Sequence, residues 1–261
     1  MEGINFYMIN LDRASKRRHI MKSHYDENNL IRIPAYDGKH LETYPDIRYL
    51  NDEFYREQII RHIDNPALCR VENEAACSLS HIKAIVSAYF KGEEGAIIIE
   101  DDILNKFHTK WPIKLREIIS NAPSDCDVLY LHEINETVNR VMISKKELIV
   151  RKHADHHSNG CYYITRNGMK KIVDKYFVDK TIDIAQDNRR IVADINLFDG
   201  MNQYQYTKPL FNSSAVDSFI RGKIDNHRGS EMVTNMYFDK TLAIKLAREK
   251  HAEIKFKKIF F

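Results

Sequence analysis

The sequence predicts an α/β fold with a mainly parallel central sheet, and three observations carry that expectation. Short apolar runs alternate with segments whose apolar residues recur every three to four positions, the alternation of strands and helices that builds such sheets. One run, Ala96-Ile97-Ile98-Ile99, is apolar at consecutive positions and mostly β-branched, as in a strand covered on both faces. It leads straight into Glu100-Asp101-Asp102, at the strand end where open α/β sheets hold their ligands. Three adjacent carboxylates repel one another. A hard cation such as Mn²⁺ or Mg²⁺ compensates them well, because it takes oxygen ligands and bridges carboxylates to phosphates. The other reading of these residues alone is a solvated acidic turn or a helix N-terminus.

The remaining elements follow in chain order. Residues 4–11 read as the first central strand, and a helix follows from Lys16 to about residue 27. Arg13, Lys16, Arg17 and Arg18 lie just past that strand end, as a diphosphate clamp or as a solvated helix face. Residues 30–35 form a second strand, and Tyr36-Asp37-Gly38-Lys39 a turn in which Gly38 supplies a positive φ if one is needed. A helix is expected over residues 52–62. Another starts at Asn73 as N-cap, with Ala75, Leu79, Ile82, Val86 and Tyr89 along one face. Its opposite face, with Cys77, Ser80, His81, Ala84 and Ala88, is small and nearly uncharged, so this helix is expected to be covered on both sides. Ser80 and His81 then face a ligand or a neighbouring strand, His81 either as a packed residue or as a catalyst.

Further on, residues 111–120 suggest a helix, 127–131 a strand, and 141–143 with 148–150 a hairpin. His153, His156 and His157 lack the cysteine pair or HExxH context of a zinc site. Residues 159–165 read as a strand, 167–176 as a helix, and 204–207 as a strand.

Composition narrows the function classes. The chain has 261 residues, 43% hydrophobic and 30% charged, with a net charge of +3. Residues 239–261 carry seven Lys/Arg against three acids, so the rest is close to neutral and no broad surface for nucleic acid is expected. Cys69, Cys77, Cys126 and Cys161 form no CxxC pair, which fits reduced thiols and a cytoplasmic location. The first residues lack the layout of a signal peptide, and no apolar run approaches a membrane span. The basic, partly apolar tail is a candidate contact for a membrane surface or an oligomer partner, or else packs on the domain.

Several separated motifs resemble glycosyltransferase family 25, which includes lipooligosaccharide and collagen hydroxylysine galactosyltransferases. Ile9-Asn10-Leu11-Asp12-Arg13 with Arg17 is similar to the family's INLDR…R opening, and Ala35-Tyr36-Asp37-Gly38 to its AxDG element. The segment from Glu74 through Cys77 to Ser80-His81 resembles ExGCxxSH, with Ala76 in place of Gly. Ile99-Glu100-Asp101-Asp102 resembles the LEDD signature. Residues 160–171 resemble GxxYxxSxxGAxKL, with Thr165 for Ser and Met169 for Ala. Ala193-Asp194 resembles the family's late vD, and Lys208-Pro209-Leu210-Phe211 with Asp217-Ser218 resembles its PPLF…S ending.

The resemblance implies a GT-A-like nucleotide-binding sandwich over residues 1–220, followed by an extension over 221–261. It implies inverting transfer of a hexose from a UDP-sugar to a hydroxyl of a glycan, lipid-linked saccharide or hydroxylysine, with Mn²⁺ or Mg²⁺. Within it, Glu100 and Asp102 hold the metal. Asn10, Arg13 and Arg17 contact the nucleotide, and Asp101 is a second metal ligand or a ribose contact. Ser80 and His81 line the donor pocket or orient the metal strand. Asp194 is the candidate base, or a helix-capping aspartate. An inactive sugar-nucleotide-binding module and a metal-dependent phosphohydrolase are the alternatives.

Overall fold

The computed structural model describes residues 4–49, 71–153, 156, 158–185, 192–213 and 231–239. In chain order the strands are β1 Phe6–Asn10, β2 Leu30–Pro34, β3 Ile47–Arg48, β4 Gly95–Glu100, β5 Ile103–Leu104, β6 Val128–Tyr130, β7 Ile149–Arg151, β8 Cys161–Thr165, β9 Phe177–Val178, β10 Thr181–Asp183, β11 Gln203–Tyr206 and β12 Asn212–Ser213. The helices are α1 Ser15–His24, α2 Val71–Phe90, α3 Leu115–Ser120, α4 Glu136–Ser144, α5 Arg166–Tyr176 and α6 Ala193–Asn196. Residues 231–239 are also helical.

The central sheet has the order β2-β1-β4-β8-β6-β11-β7. β2, β1, β4, β6 and β11 run one way, and β8 and β7 run against them. This is the mainly parallel α/β sheet expected from the sequence. The chain leaves β1 toward β2 on one side and reaches β4 on the other. The crevice beyond the ends of β1 and β4 is thus a topological switch point.

Strand pleating sorts the core into two layers. Tyr7 and Ile9 of β1, with Ala96 and Ile98 of β4, pack under α2 and α5. Phe6 and Met8, with Ile97 and Ile99, pack under Met21 of α1 and Leu115 and Ile118 of α3. Ile97, Ile98 and Ile99 are fully buried, and burying each such side chain contributes roughly 1.5–3 kcal/mol. That is why β4 reads as a continuous apolar run: both of its faces are covered.

Several sequence expectations are corrected. Residues 141–143 are not one arm of a hairpin; they belong to α4. Asn135 caps that helix, its Oδ1 accepting from the Thr137 and Val138 amides at 3.0 and 3.3 Å. At the other end the Lys208 ammonium donates to the Ile143 and Lys145 carbonyls at 2.9 and 2.6 Å. The helix expected over 111–120 shrinks to α3, because Trp111 is extended before Pro112 and Lys114 is extended as well. Asn73 lies within the first turn of α2 rather than at its N-cap.

Gly38 is not among the glycines with positive φ. Its small size matters instead, since a Cβ there would sit 2.4 Å from Asn73 Oδ1 and 2.7 Å from Asn73 Cα. The helix expected over 52–62 lies outside the described residues. So does the tail beyond 239, but the stretch 231–239 packs on the body. Lys106 pairs with Glu231 at 2.8 Å, and Phe107 stacks on Phe238 at 4.5 Å between ring centres.

Candidate active site

The pleat also sorts the polar residues at the strand ends. Asn10 continues the Phe6–Met8 face of β1, and Asp101 continues the Ile97–Ile99 face of β4, so both turn toward α1. Asn10 Nδ2 donates to Asp101 Oδ2 at 2.7 Å, and Arg17 Nη1 of α1 donates to Asp101 Oδ1 at 2.8 Å and Asp102 Oδ2 at 3.3 Å. Asn10, Arg17, Asp101 and Asp102 are all buried. Arg17 therefore offsets much of the charge that made the acidic run look unstable in sequence. A charge-assisted bond of this kind is worth roughly twice a neutral one.

Glu100 continues the Ala96–Ile98 face and turns the other way, toward α2. There His81 Nε2 lies 3.2 Å from Glu100 Oε1, and His81 Nδ1 lies 3.1 Å from the Tyr162 hydroxyl. Burial pushes the His81 pKa down to about 4, against a smaller opposing effect of the Asp194 charge, so the ring is neutral at ordinary pH. Burial and the Asp101 charge push Glu100 up to about 7, although Arg17 pulls the other way. Glu100 therefore takes up a proton more readily than an ordinary carboxylate.

A cleft opens over these residues, with about 680 Å³ of empty space that includes open solvent. The loop after β2 forms its far wall. Arg13 spans the mouth to Asp37, with Nε to Oδ2 at 2.7 Å and Nη2 to Oδ1 at 3.3 Å. Ser80 holds that wall. Its hydroxyl accepts from the Tyr36 amide at 2.9 Å and donates to the Ala76 carbonyl at 2.6 Å.

Of the predicted site residues, Arg13, Arg17, Ser80, His81, Glu100, Asp101 and Asp102 all line this one cleft, and Asn10 is bonded to Asp101 within it. Asp194 sits inside the first turn of α6 rather than at its N-cap. It accepts from the Asn159 amide at 2.9 Å and its charge partly offsets the effect of burial on His81, but it is not among the residues that line the cleft.

Sequence reasoning missed three contributors. Cys77 and Asn73 line the cleft, and Tyr162 orients His81 from beneath. Cys77 lies on the helix face read as meeting a ligand or a strand, four residues before His81, but that reading gives it no role in the site.

The sequence model of the family described as "Glycosyltransferase family 25 (LPS biosynthesis protein)" matches residues 4–188. That span is well over half of the chain and contains every residue that lines the cleft. The chain belongs to glycosyltransferase family 25.

A relative from Aedes aegypti, named "Glycosyltransferase 25 family member", is 24% identical over 188 residues, covering 70% of this chain and 30% of the relative. The chain thus spans less than a third of that relative's length. Among solved structures, an apo UDP-glucose pyrophosphorylase aligns over 92% of this chain and 100% of its own, at 14% identity and a TM-score of 0.35. The galactosyltransferase LgtC, in complex with donor and acceptor sugar analogs, aligns over 89% of this chain and 96% of its own, at 11% identity and a TM-score of 0.30.

Among the described residues no helix is long and apolar enough to cross a membrane. Of His153, His156 and His157, His156 is engaged by protein groups: its Nδ1 lies 2.5 Å from Glu133 Oε2, and its Nε2 lies 2.9 Å from the Ser158 carbonyl.

Proposed function

We propose that this family 25 chain is an inverting, metal-dependent hexosyltransferase that moves a hexose from a UDP-sugar to a hydroxyl of a glycan, lipid-linked saccharide or hydroxylysine acceptor. The observation that carries the reading is the joining, in one cleft at the switch point, of the Glu100-Asp101-Asp102 carboxylates with Arg13 and Arg17. Such a cleft suits a ligand with an anionic diphosphate.

The fit of a divalent cation rests on Glu100 and Asp102, two carboxylates that line the same cleft, with the Glu100 side chain 33% exposed there. Glu100 and Asp102 would hold Mn²⁺ or Mg²⁺, which when bound supplies positive charge against the departing diphosphate. Arg13, now on Asp37, would exchange that partner for a phosphate, to which its planar fork is suited. Arg17 and Asn10 would fix Asp101, leaving it to meet the ribose or the cation from one set direction. Ser80 would hold the Tyr36–Gly38 wall against the nucleotide. His81, kept neutral, would orient Glu100. Asp194 would accept the proton of the acceptor hydroxyl, as one-step inversion requires a base opposite the leaving group.

The test is UDP release from UDP-hexoses with a panel of glycans and a hydroxylysine peptide, with the product's anomeric configuration read by NMR. Acceptor-dependent release with inversion, lost in Asp194→Asn, is expected. Acceptor-independent cleavage to UMP and hexose 1-phosphate would mark a phosphohydrolase, and a retained configuration would remove Asp194 from its role.

A further inference from the structure

We propose that Cys77, His81 and Glu100 form a seat for a borderline divalent metal ion of the zinc or cobalt class, on the α2 side of the cleft. One ligand atom from each lies within 4.8 Å of the others. Three donors around a tetrahedral ion, at about 2.0–2.3 Å from it, are separated by roughly 3.3–3.8 Å, so only small side-chain adjustments are needed.

The arrangement follows from the sequence. Cys77 and His81 are four residues apart on α2 and share a face, one turn apart. Glu100 ends β4 on the pleat face that meets α2. The Tyr162 hydroxyl, 3.1 Å from His81 Nδ1, holds the ring so that Nε2 points at Glu100. A hydroxyl both donates and accepts, so Tyr162 can follow the imidazole into the tautomer whose Nε2 lone pair takes a metal. His81 is buried in the helix–sheet layer, while Cys77 and Glu100 are only partly buried and line the cleft. An ion therefore has a path in, and its open coordination position faces the cleft, as in three-ligand catalytic sites.

This seat differs by donor set from the all-oxygen pair Glu100–Asp102 and shares only Glu100 with it. One sulfur and one nitrogen favour zinc or cobalt over magnesium. On the other side of the strand end, Arg17 is bonded to Asp101 and Asp102.

The experiment uses the full chain, reduced and freed of metal by chelator, titrated with Co²⁺ in the absence of nucleotide. Expected is one equivalent bound with a thiolate-to-cobalt charge-transfer absorption, displaced by Zn²⁺ and persisting in Asp102→Asn. Cys77→Ser, a small change that spares the buried His81, should abolish the band and weaken Zn²⁺ binding at least tenfold, with an unchanged circular dichroism spectrum. A band that survives in Cys77→Ser overturns the proposal. So does Co²⁺ bound without the band and lost in Asp102→Asn, which would leave the all-oxygen seat and the transferase reading standing. No Co²⁺ binding overturns it too. Separate titration with UDP and Mn²⁺ tests the transferase reading on its own.

Discussion

Two groups of titratable side chains meet the carboxyl edge of the sheet, side by side and with opposite character. At the ends of β1 and β4, carboxylates, arginines and His81 surround an open cleft. At the ends of β6 and β11, His132, Glu133, His156 and Gln205 are buried and knit together. His132 reaches the Ser158 and Ser213 hydroxyls at 3.0 and 3.1 Å. Glu133 takes His156 and Gln205 on one oxygen, at 2.5 and 3.2 Å, and the Asn135 amide on the other at 2.7 Å. Residue chemistry alone would rank the second group as the better site, with two histidines and a glutamate. The difference is that its polar groups satisfy one another, as a structural network does. The first group opens on a cleft that a ligand can fill from outside.

The comparison can be broken by substitution on either side. The largest effect is expected from Asp102→Ala, which should cost on the order of 10³-fold in hexose transfer while circular dichroism stays unchanged. Full transfer in a folded variant would take the acidic cleft out of the chemistry. Glu133→Ala should do the reverse. It strands His156 and Gln205 in a buried setting and should lower stability by about 2–3 kcal/mol in urea unfolding, with nucleotide affinity per folded molecule within twofold of the parent. A loss of affinity as large as that of the cleft variants would mean that the two groups are one site.

A smaller effect is expected from Gly38→Ala. The added methyl meets Asn73 backbone at 2.7 Å and must push the Tyr36–Gly38 wall away from α2. That should weaken nucleotide binding about tenfold and cost about 1–3 kcal/mol of stability. Unchanged binding would show that this wall does not touch the ligand.

The mildest test uses thiol chemistry. Burial, aided by the Asp127 and Asp125 charges, pushes Cys126 up to about 12, and burial holds Cys161 well above the usual thiol range. The thiolate is the reactive form. Iodoacetamide at pH 8 should therefore modify Cys77 well before Cys126 or Cys161, as read by peptide mass spectrometry. Saturating nucleotide should slow the Cys77 reaction alone. Equal rates at the three would contradict the cleft assignment of Cys77.

Much of the sheet was legible because its strands carry the signal on consecutive positions. Ala96–Ile99 read as a doubly covered strand, being short, consecutive and mostly β-branched, and the same run located the acidic end. The second face of α2 was legible for the same reason: a small, uncharged helix face has to be buried. What the sequence did not reveal was long-range. No local pattern says that Arg17 will reach across to Asp101 and Asp102, or that alternating pleats will send Glu100 to His81 and Asp101 to Asn10. The misreading of 141–143 as a strand has a local cause. Three apolar residues carry too little periodicity, and Asn135, the helix cap that decides the matter, lies six residues upstream.

The central claim is that the β1–β4 cleft is a sugar-nucleotide site. The most direct measurement is calorimetry of the intact protein with UDP, GDP, CMP and a set of UDP-sugars, each with Mn²⁺ and again with chelator. A ligand that binds the folded state stabilises it in proportion to the logarithm of its concentration over Kd, so thermal shift supplies a second readout. The account predicts binding of UDP and of one UDP-sugar, weakened by chelator and by Asp102→Ala. No response to any nucleotide with metal present would contradict it.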